Sequence, residues 1–529
     1  MRFLFLFLLF CVSLVGQSKP TMPIAEIEQQ PIGWTEFIPS PDTRIVYIDN
    51  VTGNNNNSGL SPTQAKATIQ AGYNLLRDGF PDWLLLKRGC TFNEQIEWNK
   101  SGRSGTERIL MGAYGDESID RPIIIPPTTA AVFTFRNYVG FNNAIFTSLD
   151  IKNPSYVPAP GASLVGLSFL GRFNNLLIED VRTTGMSGGI ILFNPANIPG
   201  NNVVLRRCQI LNGFSAPNIS HSNGMFASNQ RNFVVEDCLF DHNGWKEGDP
   251  STQTIFNHNI YFHDSGSSYP LILRNSILSR ASSHGVQMRS GGIADNNLFY
   301  QNPLNILVGT ATGVYPPVPT TISNNIINDS RDINGVARGS GVDIVGGDNH
   351  LVMNNIIKDR VTGSPLISSI NLNGAIFPLR NANIRSNITW NWNAPSYSFY
   401  GGTITNITLA NNNVNEVLPI LITEGDRSPT LNHRNNFYWC PNTNPFRWNN
   451  GYLTPNQFFT AVNDTGSIFS QSVFPDPTRN LNTYYNTIFN TNTGAMGFIN
   501  AARENRRGRW DSRLTASAAN DWIRAGFGR

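Results

Sequence analysis

The feature that most constrains the fold is an internal repeat. In eight short segments apolar residues alternate with polar ones, a polar pair follows, and the apolar alternation resumes. These segments span 176–183, 204–211, 234–240, 272–278, 293–299, 322–328, 352–358 and 384–390. A unit this short cannot bury its own apolar face, so successive units are expected to stack as a solenoid. Each unit is predicted to form two short strands joined by a tight bend.

The second residue of the polar pair forms a column along the repeat. The column holds Val181, Cys208, Cys238, Ser276, Asn297, Asn325, Asn355, Asn387 and Asn436, with Asn413 expected between the last two. Asparagine tolerates a left-handed backbone, and stacked amides can hydrogen-bond along a ladder. We therefore predict equivalent bends stacked on one another. The two cysteines of the column would lie one rung apart, as a buried thiol pair or as a disulfide.

Composition narrows the class of protein. Charged residues make up 14% of the chain and hydrophobic residues 40%, which disfavours both disorder and a coiled coil. The net charge is +3 and the arginines are dispersed, so nucleic-acid binding is not expected. The four cysteines beyond residue 18 are too few for a disulfide scaffold.

The first residues have the pattern of a secretory signal peptide. One arginine precedes an apolar run from Phe3 to Val15, and small and polar residues follow. We expect residues 1–18 to be removed and the protein to be extracellular or periplasmic. No later run approaches 18 apolar residues, so no membrane span is expected.

With these repeats the chain resembles the right-handed parallel β-helix, or pectin-lyase-like, superfamily. The segment 46–76, followed by LLLKRGCTF and GAYG, is similar to the N-terminal coil of secreted members, with a predicted helix over 63–76. The segment 454–477 is similar to the helix and turn that follow the last coil. We predict an all-β, right-handed parallel β-helix with N-terminal and C-terminal helical caps. The expected domains are an extension at 19–42, the β-helix at 43–500 and a helical cap at 501–529, in a monomer.

The resemblance assigns the substrate to the strand that precedes the two strands around each asparagine bend. Alignment of these strands predicts inward positions that are all apolar, at Met225, Ala227, Ile260, Phe262, Val286, Met288, Ile306, Val308, Val342 and Ile344. The outward positions are then Phe226, Ser228, Tyr261, His263, Gln287, Arg289, Leu307, Gly309, Asp343 and Val345.

Histidines concentrate at this face. Five of the seven lie between residues 221 and 284, and His258 and His284 share a column with Asn223. The candidate catalytic residues are His263, Tyr261, Arg289, His258 and His284. The candidate substrate-binding residues are Gln287, Asn223, Asp264 and Trp245.

These residue types suit removal of the proton α to a uronate carboxylate. His263 or His258 could act as the base, Arg289 could bind the carboxylate, and Tyr261 could supply the acid. The set is similar to that of alginate and chondroitin lyases and mannuronan epimerases of this fold, although it has no lysine and lacks the contiguous epimerase motif. We predict a lyase acting on an anionic polysaccharide by β-elimination.

Three alternatives stay open. A C5-epimerase shares the first proton abstraction. A glycoside hydrolase would need two carboxylates about 5 to 10 Å apart. A solenoid that binds glycans without turnover would need neither chemistry. No metal site is assigned, and Ca²⁺ is undecided because Asp264, Asp343 and Asp348 are scattered in the sequence.

Overall fold

The computed structural model describes most of the chain beyond residue 32. The described residues are 33–128, 130–134, 140–154, 164–195, 197–215, 221–263, 269–310, 315–360, 363, 367–417, 422–424, 431–448 and 451–529. The chain divides into two compact units, Met1–Ile38 and Pro39–Arg529. The predicted signal peptide at 1–18 lies outside the described residues, and the domain boundaries stay predictions. None of the described helices has the length and hydropathy needed to span a bilayer.

Three long sheets wind through the second unit, and each coil contributes one strand to each sheet. Sheet 1 consists of Ile45–Ile48, Trp83–Lys87, Ile109–Tyr114, Phe141–Thr147, Phe173–Glu179, Gly200–Arg206, Gln230–Glu236, Leu271–Arg274, Gly292–Asp295, Thr321–Ser323, Leu351–Met353, Asn383–Arg385, Ile407–Ala410 and Leu431–Arg434. Sheet 2 consists of Thr91–Phe92, Ile123–Ile124, Asp150–Lys152, Arg182–Thr184, Gln209–Leu211, Leu239–Asp241, Ile277–Ser279, Leu298–Tyr300, Ile326–Asn328, Ile356–Lys358, Ile388–Trp390, Asn413–Asn415, Phe437–Trp439 and Ile468–Phe469. Sheet 3 consists of Ile96–Glu97, Ala130–Phe133, Val165–Leu170, Gly188–Phe193, Asn223–Ser228, Ile260–His263, His284–Met288, Leu304–Gly309, Ser340–Val345, Gly347–Asp348, Ile370–Arg380, Tyr397–Thr405, Ile422–Glu424, Phe446–Trp448 and Gly451–Leu453.

The strands pair in parallel, apart from the antiparallel pair formed by Phe446–Trp448 and Gly451–Leu453. The order sheet 1, sheet 2, sheet 3 repeats from coil to coil, which is the topology of a right-handed parallel β-helix. The predicted fold class is therefore confirmed. The inward rows of the three sheets form one continuous hydrophobic core along the axis.

The bend between sheets 1 and 2 uses two residues with different tasks. Its first residue has a positive φ in eleven coils, at Ser148, Asp180, Arg207, Asp237, Asn275, Asn296, Asn324, Asn354, Ser386, Asn411 and Asn435. Apart from Arg207 these are short polar residues, and asparagine and aspartate tolerate this conformation best. The second residue turns its side chain inward. It is this second residue, and not the left-handed one, that forms the ladder.

The ladder runs from Cys208 to Asn436 along the predicted column, with the N–H of Ser276 donating to Asn297 Oδ1 at 3.0 Å. In each rung from 297 to 412, the backbone N–H and the side-chain Nδ2 donate to the Oδ1 of the next asparagine, at 2.9 to 3.1 Å. The column continues upstream, where the N–H of Cys208 donates to Cys238 Sγ and the N–H of Cys238 donates to Ser276 Oγ. Both cysteines are buried free thiols.

One rung of the ladder was wrongly predicted. The residue between Asn387 and Asn436 is Asn412, whereas Asn413 begins the next strand and is only half-buried. The shift by one residue follows from the preceding bend residue, because Asn411 has a φ of 57° and takes the left-handed position.

The N-terminal helix is shorter than predicted. Residues 62–64 form a 3₁₀ turn and helix α1 spans Ile69–Tyr73, with Thr68 accepting a hydrogen bond from the N–H of Ala71. The residues between them are extended because Lys66 forms a parallel bridge with Ile48. Because of this bridge, part of the predicted 63–76 helix is instead extended chain at the edge of sheet 1.

The C-terminal helices are confirmed, and they occupy two places. Helix α2, Pro455–Ala461, covers the last coil, where Phe458 stacks on Phe446 with a centroid distance of 4.2 Å. Helices α3, Leu481–Phe489, α4, Gly494–Ala502, and α5, Ala516–Gly526, pack against the outer side of sheet 2 in a second apolar cluster. Short 3₁₀ turns lie at Pro250–Thr252 and Ser512–Leu514. The tail therefore covers sheet 2 and leaves sheet 3 to carry a site.

Candidate active site on the outer face of sheet 3

The register of sheet 3 places the predicted residues in two outward rows. Row one contains Ser168, Ile191, Phe226, Tyr261, Gln287, Leu307, Asp343, Asn371 and Ser398. Row two contains Leu170, Phe193, Ser228, His263, Arg289, Gly309, Val345, Asn373 and Tyr400, with the N–H of Arg289 bonded to Phe262 O. The ten residues predicted to point inward are at most 1% exposed, so the predicted alternation is confirmed.

Tyr261 lies at the centre of a group of rings. Its ring centroid is 5.3 Å from that of Phe226, 5.4 Å from His258 and 6.1 Å from His263. The guanidinium carbon of Arg289 lies 4.9 Å from the same ring, which is a cation–π contact. We call Tyr261, His263, Arg289, His258 and His284 the central patch. The structure thus brings together all five predicted catalytic residues.

Arg289 is a cation without a counterion among the described residues. Its Nε is buried with no hydrogen-bond partner in that part of the chain, and its side chain forms no ion pair there. A guanidinium offers five donors in a planar fork that matches a carboxylate. The ring of Tyr261 holds this fork from one side, while the next rung of the row is a glycine, Gly309. The arrangement can bind an anion.

His258 and His284 form a hydrogen-bonded pair. Their Nδ1 atoms are 2.8 Å apart, and the Oγ of Ser283 lies 3.0 Å from Nδ1 of His284. One Nδ1 must donate and the other accept, so the pair holds at most one positive charge. Asn223, a predicted substrate-binding residue, accepts the backbone N–H of His258 at 2.9 Å and fixes the start of its strand.

Burial and the charge of Arg289 keep these imidazoles neutral. Burial, with the charges of His284 and Arg289, holds the pKa of His258 well below its ordinary value, and burial with Arg289 lowers the pKa of His284 to about 3. The same two causes lower the pKa of His263, while burial raises the pKa of Tyr261. At neutral pH the patch therefore offers neutral imidazoles that can accept a proton and a phenol that keeps its own.

Two charged groups beside the patch extend the site. The half-buried Asp343 accepts a hydrogen bond from Ser340 Oγ at 2.7 Å, and burial raises its pKa to about 6. Arg338, in the loop before the Ser340–Val345 strand, opposes this rise in the pKa of Asp343 and adds to the lowering of the pKa of His284 that burial causes. Arg338 was not a predicted site residue, because no periodicity places a residue of this loop.

The predicted substrate-binding residues differ in where they lie relative to the central patch. Gln287 lies in row one between the tyrosine rung and Leu307, and it is 7% exposed. Trp245 packs against His242 with ring centroids 4.2 Å apart and ring planes tilted by 48°, and its indole N–H donates to Arg280 O, so the structure does not bring it into the central patch. Its indole is packed into the corner between sheets 2 and 3. Asp264 lies outside the described residues.

An exposed aromatic residue marks the rim of the patch. Phe256 is 58% exposed, two residues before His258, and its ring lies 5.5 Å from that of His221. Alignment of the strands could not predict this ring, because Phe256 lies in the loop before the Ile260–His263 strand.

Metal ligation has no visible basis in the part of the chain that the structure describes. No three His, Cys, Asp or Glu side chains converge there. Asp343 is hydrogen-bonded to Ser340, while Asp348 accepts from Asn381 Nδ2 at 2.6 Å in a different part of the sheet.

Comparison with known proteins supports the fold and assigns no function. No protein-family model matches the chain, and no curated protein matches it either. Three similar solved structures are all right-handed parallel β-helix proteins. At these identities the likeness concerns the fold alone.

The first is the native GH136 lacto-N-biosidase from Eubacterium ramulus, at 13% identity and a TM-score of 0.37, over 75% of this chain and 64% of that one. The chain thus spans less than two thirds of that enzyme's length. The second is the A-module of the Azotobacter vinelandii mannuronan C-5 epimerase AlgE4, at 14% identity and a TM-score of 0.45, over 73% of this chain and 99% of the module. The third is a mannuronic acid specific polysaccharide family 6 lyase from human gut microbiota, at 13% identity and a TM-score of 0.44, over 76% and 88%.

Proposed function

We propose that the protein is a carbohydrate-active enzyme that cleaves a uronate-containing polysaccharide by β-elimination at the central patch. The observation that carries the proposal is the guanidinium of Arg289, which has no counterion among the described residues and lies beside neutral imidazoles and a phenol. A partly buried cation without a counterion destabilises the folded protein unless a bound anion offsets its loss of hydration. A uronate carboxylate has the planar shape that a guanidinium binds best.

In this proposal the substrate carboxylate binds Arg289, which stabilises the negative charge that develops when the α-proton leaves. His263 takes that proton from C5, and the electron pair of the broken C–H bond forms the C4–C5 double bond. The C4–O bond breaks at the same time, and Tyr261 donates its phenolic proton to the departing oxygen. The protonated His263 and the phenolate of Tyr261, whose ring centroids are 6.1 Å apart, then exchange the proton through water.

His258 and His284 are proposed to position Tyr261 from its other side. The ring centroid of His258 is 5.4 Å from that of Tyr261, and its Nδ1 contacts Nδ1 of His284. Because burial and the charge of Arg289 keep both imidazoles neutral, the pair supplies no proton at neutral pH and acts by holding the tyrosine ring in place.

Elimination fits this face better than hydrolysis. Hydrolysis of a glycoside generally uses two carboxyl groups, and the two outward rows from Ser228 to Asn373 contain one, Asp343. That carboxyl lies two rungs from Arg289, at a rung spacing of about 4.8 Å. A C5-epimerase would share the proton abstraction and differ in product, because its uronate stays saturated.

The test is absorbance near 235 nm during incubation with uronate polymers, in parallel with a reducing-sugar assay. We expect absorbance to grow with the wild-type protein and kcat/KM to fall about 10²- to 10³-fold in Arg289→Gln, as on removal of an oxyanion donor. His263→Ala and Tyr261→Phe should also lose turnover, and the second keeps the ring that supports Arg289.

Arg231→Gln is the matched control. Arg231 also lies over a tyrosine ring, with 4.6 Å between its guanidinium carbon and the centroid of Tyr269, but outside the central patch. Its loss should leave turnover unchanged. Reducing ends without absorbance would refute elimination in favour of hydrolysis. Binding that survives in His263→Ala, with no turnover in the wild type, would refute catalysis.

A further inference from the structure

From the rung of Ser168 to that of Ser398, the two outward rows carry charge only at Arg289 and Asp343. Beyond these rungs, row one continues to Glu97 at one end and to Arg447 at the other. Arg289 lies on one coil, and Arg338 and Asp343 both lie two coils further on. Before the coil of Tyr261 and His263, the outward residues of three coils are neutral, namely Ser168, Leu170, Ile191, Phe193, Phe226 and Ser228. The outward residues of the two following coils are also neutral, namely Asn371, Asn373, Ser398 and Tyr400. The face thus has a charged centre between two uncharged flanks.

Among the loops beside the face, the one at 329–339 contains Arg331 in addition to Arg338, and Arg331 is paired with Asp329 at 3.5 Å. The segments 213–222, 264–270, 310–320, 361–369 and 391–396 contain no lysine or arginine. The longer loop at 242–257 contains Lys246 together with Glu247 and Asp249, so it adds no net positive charge. Arg280, just before the His284 strand, is already paired with Asp241 at 2.6 Å. Cations for several neighbouring carboxylates are therefore lacking.

A polymer lying along the rows meets one new rung about every 4.8 Å, which is comparable with the length of one sugar unit. A homopolyuronate would then place a carboxylate near each rung. Those beyond the centre would face Phe226 on one side or Asn371 on the other, where no cation offsets their loss of hydration. Another would face the carboxyl group of Asp343.

Neutral sugars suit the same flanks. Aromatic rings such as those of Phe193 and Phe226 provide flat apolar surfaces, and Tyr400, which is 60% exposed, provides one at the other end. Asn371 and Asn373 offer amides that can both donate to and accept from hydroxyl groups. The flanks are thus polar or apolar without charge, which matches the surface of an uncharged sugar.

We propose, resting on the proposed function, that the substrate is a heteropolysaccharide in which a single uronate is flanked on both sides by neutral sugars. The uronate occupies the central patch at Arg289. The neutral neighbours lie over the uncharged rungs on either side. A polymer made of uronate alone is a poor substrate because each further carboxylate is desolvated without a partner.

The experiment compares pairs of polymers that share the uronate and differ in its neighbours. Glucuronan is compared with gellan, in which one glucuronate is followed by neutral sugars, and polygalacturonate with a rhamnogalacturonan backbone, which alternates galacturonate with rhamnose. Polymannuronate is added as a third homopolymer. We expect kcat/KM, measured at 235 nm, to be at least about 100-fold higher for one heteropolymer than for its homopolymer, which corresponds to about 2.7 kcal/mol. Equal or faster turnover of any homopolymer would overturn the inference.

A variant tests the physical reason. Leu307→Arg places a cation in row one, between Gln287 and Asp343. It should raise kcat/KM on the homopolymer about 10-fold and leave the heteropolymer within about twofold, because it supplies the missing counterion. An unchanged ratio of the two would count against the charge argument.

Binding separates this inference from the proposed function. If no polymer yields absorbance, the elimination proposal fails, and the dissociation constants of the His263→Ala protein for the same pairs still decide the inference. Tighter binding of the heteropolymers supports it. Tighter binding of the homopolymers refutes it.

Discussion

The asparagine ladder allows a sharp test of how the coils are held together, because two adjacent asparagines differ in their roles. Asn412 accepts from the N–H and Nδ2 of Asn387 at 3.0 and 3.1 Å, and it donates to Ile384 O and to Asn436 Oδ1 at 2.9 and 3.0 Å. Asn413 is half-buried, outside the ladder, and accepts from Asn415. The pair offers a change and its control at neighbouring positions.

The expected cost follows from the groups left behind. Asn412→Ala leaves two buried donors of Asn387, its backbone N–H and one N–H of its amide, without an acceptor. Each buried donor without a partner costs about 1–3 kcal/mol, so the free energy of unfolding should fall by about 2–6 kcal/mol. Asn413→Ala orphans no buried backbone group and should cost less than about 1 kcal/mol.

A third variant separates the ladder from backbone preference. Asn412→Asp keeps the shape of the side chain but turns a carboxylate oxygen towards Ile384 O and Asn436 Oδ1, so it should cost at least as much as Asn412→Ala. Urea unfolding followed by circular dichroism, with hydrogen exchange of the N–H of Asn387, measures all three. Equal losses for positions 412 and 413, or tolerance of Asn412→Asp, would refute the ladder as the source of this stability.

Three further predictions concern ionisable groups. Burial raises the pKa of Glu416 to about 8, so the folded state keeps a proton that the unfolded state loses above pH 4.5. The free energy of unfolding should therefore fall as the pH rises from about 4.5 to 8, by up to about 5 kcal/mol. Thermal unfolding of Glu416→Gln at pH 5 and 8 should lack that part of the fall, and an identical fall would contradict it. Asp241 pairs with Arg280 and Arg503, which lower its pKa, so its stabilisation exists above the ordinary value of about 3.9 and is lost as pH falls through the lowered one. Asp241→Ala should cost about 3–5 kcal/mol and expose the tail around 490–510 to limited proteolysis, whereas resistance equal to the wild type would count against this clamp. Because Arg289 lowers the pKa of His263, an NMR titration should find that pKa below about 6.5 and higher in Arg289→Gln than in the wild type; the same midpoint in both would show that the two groups do not interact.

The sequence predicted the parts of the fold that repeat. Apolar alternation with a period of two fixes the face of each strand, because an inward polar residue would be buried without a partner, and the inward positions such as Ile260 and Met288 were correct. The ladder was predicted from recurrence alone. Its one error, Asn413 for Asn412, arose because the left-handed residue and the ladder residue are both asparagine in that coil.

The candidate site was predicted to the extent that strands carry it. Tyr261, His263 and Arg289 follow from register, and the shared column of His258 and His284 follows from it too. Residues of long loops have no period that places them. For this reason Arg338 was missed, and Trp245 was expected in the patch although it packs on His242.

The most direct test of elimination at Arg289 is the structure of the product. Proton NMR of the products formed from the best polymer should show the olefinic H4 signal of an unsaturated uronate, and this signal should grow about 10²- to 10³-fold more slowly with Arg289→Gln. The same signal, at the same rate, should appear with Arg231→Gln. New chain ends that carry only saturated uronate, or an olefinic signal unaffected by Arg289→Gln, would contradict the account.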